Sequence, residues 1–122
     1  MAAVIRLRAD KAREYEDLHA AVWPDVLATI AACHIRNYTI FLRRPELLLF
    51  ATWEYHGADW AADVARMQAD AATRRWWALT DPCQEPLPTR AAGEWWAAID
   101  EVFHTDLAAP ARAGSLTAYS EC

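Results

Sequence analysis

The chain has 122 residues, a net charge of -5 at pH 7 and a pI near 5.3. This argues for one domain and against a nucleic-acid or anionic-membrane partner. No apolar run approaches the ~18 residues of a membrane-spanning helix, and Met1 to Asp10 lacks the apolar stretch of a signal peptide. Three cysteines (Cys33, Cys83, Cys122) without C-x-x-C spacing exclude a disulfide framework and the common zinc patterns, and suit a reducing cytoplasm.

Ala2, Val4, Ile5 and Leu7 form a short apolar run that reads as a first strand. Asp10 is placed to cap a helix from Lys11, with Tyr15, Leu18, His19 and Val22 at helical spacing. Val26, Leu27, Ile30 and Ala31 continue that pattern beyond Pro24. Pro24 lacks a backbone donor, so the spacing predicts a kink, or a restart with Pro24 as the first residue of a second segment. His34 to Leu42 reads as a strand, Arg43 to Glu46 as a turn, and Leu47 to Tyr55 as a central strand, the two strands forming a hairpin. Gly57 ends the second. Asp59 to Leu79 has helical character, with a second start at Asp70. Asp81 to Gly93, holding Pro82, Pro86 and Pro88, reads as an ordered loop or excursion, and Trp95 to His104 as a last strand. Residues 1–107 then make the domain, and the tail over 108–122, without periodicity, is expected to be loosely held.

Strand, helix, strand, strand, helix, strand in that order predicts a ferredoxin-like α+β fold. Its four-stranded antiparallel sheet carries helices on one face. The uncovered face needs a partner, most simply a second copy packed sheet to sheet. Trp95 and Trp96, adjacent on the last strand, would point one inward and one towards that partner.

Tyr15, His19 and Trp23 are spaced i, i+4, i+8 and share a face if the helix continues far enough. His19 there is either a half-buried histidine bonded to Tyr15 or a carbonyl, or a general acid or base lining a pocket. Tyr38 shares strand parity with Ile40 and Leu42, which aims its hydroxyl into the sheet-helix layer, as a core tyrosine or a pocket group. Trp76 and Trp77 point about 100° apart on a helix, so both cannot enter one core facet. One can line a cavity, where a flat ring suits the apolar C–H face of a sugar. No nucleotide-binding glycine pattern, H-E-x-x-H or nucleophile elbow is present. His34, His56 and His104 are scattered singly.

These motifs taken in order resemble the L-rhamnose mutarotase family. The matching segments are Tyr15-x-x-x-His19-x-x-x-Trp23-Pro24, Asn37 to Leu42, Leu47 to Ala51, Arg75-Trp76-Trp77 and Glu101-Val102-Phe103-His104. The resemblance implies a dimeric α/β barrel of ferredoxin-like subunits, a homodimer, and a monosaccharide substrate. It implies no metal and no cofactor. It places the family's proton donor at His19 and its sugar-binding positions at Tyr15, Tyr38, Trp76 and Trp77. The segment Thr80 to Trp96 departs from the family core and looks like a branch associated with L-fucose, which puts the sugar, not the reaction, in question.

Anomers interchange through the open-chain aldehyde, which needs a proton delivered to the ring oxygen and one removed from the anomeric hydroxyl. The resemblance makes His19 the acid, with Tyr15 and Tyr38 holding hydroxyls. Asp81 and Glu85 are candidates for the base or for loop contacts, beside a water or a second tyrosine. The rival readings on this fold are a cofactor-independent monooxygenase, a haem-degrading enzyme, and a ligand-binding module without turnover.

Overall fold

The computed structural model describes residues 1–106; the predicted tail over 108–122 lies outside the described residues. β1 (Ala2–Leu7) buries Ala3, Ile5 and Leu7 and turns Ala2, Val4 and Arg6 to the other side. A 3-10 turn over Ala9–Lys11 leads into α1 (Ala12–Ala20). The expected Asp10 cap is not formed. Asp10 lies within the 3-10 turn and pairs with Arg8 at 3.5 Å, so Lys11 stands at the cap position without a side-chain bond. α2 (Pro24–Ala32) restarts with Pro24 in its first turn, while Trp23 stays extended and its carbonyl accepts from Val26 and Leu27.

β2 (Ile35–Arg43) and β3 (Leu48–Tyr55) form the hairpin. Their register runs evenly from Arg43↔Leu48 to Thr39↔Thr52 and shifts between Arg36 and Thr39. Asn37 takes the left-handed conformation there, with φ of 50°, which asparagine tolerates better than most residues. α3 (Trp60–Ala69) is capped by Asp59, which accepts from Ala62 N. α4 (Ala71–Thr80) is capped by Asp70, which accepts from both Thr73 N at 2.9 Å and Thr73 Oγ1 at 2.8 Å. The second start at Asp70 therefore follows from a local cap satisfying the orphan amides of a new helix.

The sheet order is β2-β3-β1-β4, with every pairing antiparallel. This is the ferredoxin-like α+β plan with each helix split in two. The fourth strand differs from the expected Trp95 to His104. It consists of β4 (Gln84–Glu85), opposite Leu7 and Arg6, and β5 (Ala97–Ala98), opposite Val4 and Ala3. β1 is short, and Gln84–Glu85 already takes one end of its free edge. Trp95 and Trp96 sit in a bend ahead of β5 and do not divide between the core and the open face. Trp96 packs on the core cluster of Ile5, Leu7, Tyr15, Leu49 and Cys83, and Trp95 turns to Gln84.

At the far end of the sheet the buried Asp63 carboxylate ties α3 to the hairpin. It accepts from Tyr55 Oη at 2.5 Å and from His34 Nδ1 at 3.1 Å, and these bonds hold it below the usual carboxylate range. Gly57 lies against this knot, and a Cβ there would fall on the Tyr55 hydroxyl and within 2.8 Å of Asp63 Oδ2. Gly57→Ala is therefore expected to lower stability by about 1–3 kcal/mol through overpacking, seen as a lower denaturation midpoint with an unchanged slope.

Candidate active site

Tyr15 and His19 are one turn apart on α1, so their rings meet, with centroids 4.1 Å apart. Trp76 from α4 closes on this pair. Its ring meets His19 edge-on at 5.3 Å and Trp23 edge-on at 5.2 Å. Trp76 thus bridges the two sides of the α1–α2 break, and Trp23 joins the cluster although the helix stops before it. Beside these rings lies a cavity of about 350 Å³ lined by Tyr15, Glu16, His19, Ala20, Ile40, Leu42 and Leu49. That is at the small end of the roughly 300–1,000 Å³ found for ligand sites.

His19 Nδ1 lies 2.8 Å from the Tyr15 carbonyl oxygen. A carbonyl only accepts, so Nδ1 carries the hydrogen and Nε2 is the nitrogen left to exchange protons. Burial lowers the His19 pKa below its ordinary 6.5, and the bond to the Tyr15 carbonyl opposes that shift without cancelling it. The ring therefore rests neutral at pH 7, and once protonated it is a stronger acid than an exposed imidazolium.

Tyr38 stacks on Trp53, which in turn stacks on Trp60, on the helix side of the sheet. Tyr38 is 43% exposed, yet burial raises the pKa of its hydroxyl. The Tyr15 hydroxyl is raised mainly by burial, with a smaller contribution from the nearby Tyr38. Both phenols are thus neutral donors in the working range.

The other sequence candidates are placed less closely. Trp77 is half-buried and neither lines this cavity nor joins the His19 aromatic contacts. Asp81 is half-buried in the 3-10 turn after α4, and burial raises its carboxyl pKa. Among the described residues no hydrogen bond joins it to His19. Glu85 is exposed opposite Arg6, on the face away from His19, and is not brought to the site. No group of three or more His, Cys, Asp or Glu suited to a metal occurs among the described residues.

Sequence reasoning missed Gln84. It is 6% exposed, and its amide lies between the Tyr15 hydroxyl and the Trp95 indole. Its signal was only a polar residue in a proline-rich segment, with one partner 69 positions away.

Comparison with known proteins places this geometry in context. A family model described as L-rhamnose mutarotase matches residues 1–105. The L-rhamnose mutarotase of Rhizobium meliloti (strain 1021) is 33% identical over 104 residues, covering 82% of this chain and 91% of that protein. That of Klebsiella pneumoniae is 34% identical over 112 residues, covering 84% and 94%. The crystal structure of the L-rhamnose mutarotase of Formosa agariphila superposes with a TM-score of 0.65 at 18% identity, over 86% of this chain and 96% of that one. The structural match speaks for the shared fold, and the family model and sequence relatives go further: the chain belongs to the L-rhamnose mutarotase family.

Proposed function

We propose that the His19 cavity interconverts the α and β anomers of a 6-deoxy-L-sugar, with L-rhamnose as the first substrate. The observation that carries this reading is the tethered histidine. In a small cavity walled by Tyr15, His19 and the aliphatic Ile40, Leu42 and Leu49, in a chain from this family, Nδ1 is fixed on the Tyr15 carbonyl, so proton exchange runs through Nε2 alone. Ring opening takes a proton from His19 onto the ring oxygen, and closure on the other carbonyl face returns it. Tyr15, from the cavity wall, holds the sugar together with Trp76, which touches His19, and Tyr38 from β2. The group that takes the anomeric proton is a water or the half-buried Asp81. L-Fucose is the second reading, favoured by the likeness of the segment from Thr80 to Trp96 to the branch associated with that sugar.

The same protein is proposed to be a cytoplasmic homodimer. The buried free thiols of Cys33 and Cys83 support the first point. The open sheet face supports the second. Val4, Phe50 and Phe41 stand opposite one another across it, and Phe41 is 56% exposed. Sedimentation at micromolar concentration is expected to give one species of twice the 13.8 kDa chain mass, and a stable monomer would reject the dimer.

Anomer exchange followed by saturation-transfer NMR on L-rhamnose and L-fucose tests the activity. Comparable rates on D-glucose would reject a site for a 6-methyl sugar, and no exchange on either deoxy sugar would favour a binding module. His19→Ala is expected to slow exchange by about 10²–10⁴-fold at an almost unchanged melting temperature. A destabilised but active variant would make His19 structural. The pH profile carries a sign. Because the His19 pKa is depressed, its acid form fills only below 6.5. The rate should therefore climb as pH falls from 8 and level off below that value. A rate that drops on acidification would make His19 the base.

A further inference from the structure

The register of the fourth strand holds a second message. Glu85 stands opposite Arg6 and Ala97 opposite Val4, which leaves one place, opposite Ile5, for Trp96. Residues 86–95 leave the sheet and return without shifting it. The excursion is built around two side chains. Arg90 donates to the carbonyls of Glu94 at 2.8 Å and Leu87 at 3.1 Å, and the Glu94 carboxylate accepts from Ala91 N at 2.9 Å and Ala98 N at 3.3 Å. Gly93 turns the chain with φ of 82°, in the left-handed region. This delivers Trp95, whose Nε1 donates to Gln84 Oε1 at 2.7 Å, and Gln84 Nε2 in turn donates to Tyr15 Oη at 3.3 Å.

The chemistry of the three groups fixes the direction of this chain. An indole nitrogen only donates, so the amide atom facing Trp95 is the oxygen. The amide nitrogen then faces Tyr15, and it too only donates, so the phenol oxygen accepts. The Tyr15 proton is left over. Among the described residues that hydroxyl has no second hydrogen bond, and Tyr15 lines the cavity that His19 lines. We infer that Trp95 and Gln84 are positioning residues that lock the Tyr15 hydroxyl as a hydrogen-bond donor to an acceptor oxygen of the sugar, and that the 86–95 excursion supplies the lock. The inference rests on the mutarotase reading of the cavity. Tyr15 then presents a proton and His19 presents Nε2, two complementary contacts one helical turn apart.

Gln84→Glu reverses the chain with almost no change of shape, since a carboxylate accepts from both Trp95 and Tyr15 and draws the phenol proton away from the sugar. At pH 8 it is expected to lower the exchange rate about threefold to tenfold, the worth of one oriented hydrogen bond. In a Tyr15→Phe background the same change should leave the rate untouched. Trp95→Phe frees the amide to turn, should show a smaller loss that also vanishes with Tyr15→Phe, and serves if Gln84→Glu does not fold. A loss that persists without the Tyr15 hydroxyl overturns the proposal, as does a Gln84→Glu variant at the wild-type rate. A measurement free of turnover separates this from the functional reading. In ¹⁵N-labelled protein, Tyr15→Phe should shift both the Gln84 side-chain amide and the Trp95 indole resonance. Unmoved resonances overturn the lock, whereas shifted resonances in a protein that exchanges neither sugar uphold it and reject only the mutarotase activity.

Discussion

The register of β1 is the constraint on which the rest of the molecule depends. β1 meets β3 along one edge and both pieces of the fourth strand along the other. A slip of one residue would turn Ile5 and Leu7 to the open face and bring Arg6 inward. Burial of a large aliphatic side chain is worth about 1.5–3 kcal/mol, so these two residues alone oppose that slip strongly. The site inherits the register. Tyr15 packs on Ile5, Leu7 and Leu49, and Gln84 reaches Tyr15 because it stands opposite Leu7. α1 itself, nine residues long, is too short to hold a geometry alone.

Much of this was readable from local pattern. β1 showed its apolar run, Pro24 its kink or restart and Asp70 its second helix start, because each is decided by residues within a few positions. The face shared by Tyr15 and His19 followed from a single helical turn. Trp23 joined them for a reason no spacing displays, since Trp76 arrives from another helix to span the break. The broken fourth strand was hidden too. Two dipeptides paired to different ends of β1 carry no periodicity of their own, whereas the apolar run near Trp95 does look like a strand. Gln84 was unreadable because its meaning lies wholly in two partners, one of them 69 positions away.

The environment of His19 is a balance of two opposed effects. The rings of Tyr15 and Trp76 remove water and favour the neutral imidazole, while the Tyr15 carbonyl holds the Nδ1 hydrogen and favours the charged one. Burial wins, and the His19 pKa falls below its ordinary value. The carbonyl also settles the tautomer, so the histidine meets a ligand with one defined nitrogen rather than two. Tyr15 therefore makes contacts at both ends: its backbone oxygen aims the histidine, and its phenol oxygen accepts from Gln84.

The interrupted fourth strand has a consequence for how the molecule behaves among its neighbours. A sheet edge exposes unpaired amides and carbonyls to any passing extended chain, and a long straight edge invites aggregation. Here the outer edge beyond β1 consists of two residues, a detour, and two residues more, too short and uneven for another strand to zip along. The opposite edge, β2, is longer but carries a bulge at Asn37 and arginines at positions 36 and 43. Both margins are thereby blunted against strand addition, and the sheet is left with its flat face, rather than its rims, as the surface open to self-association.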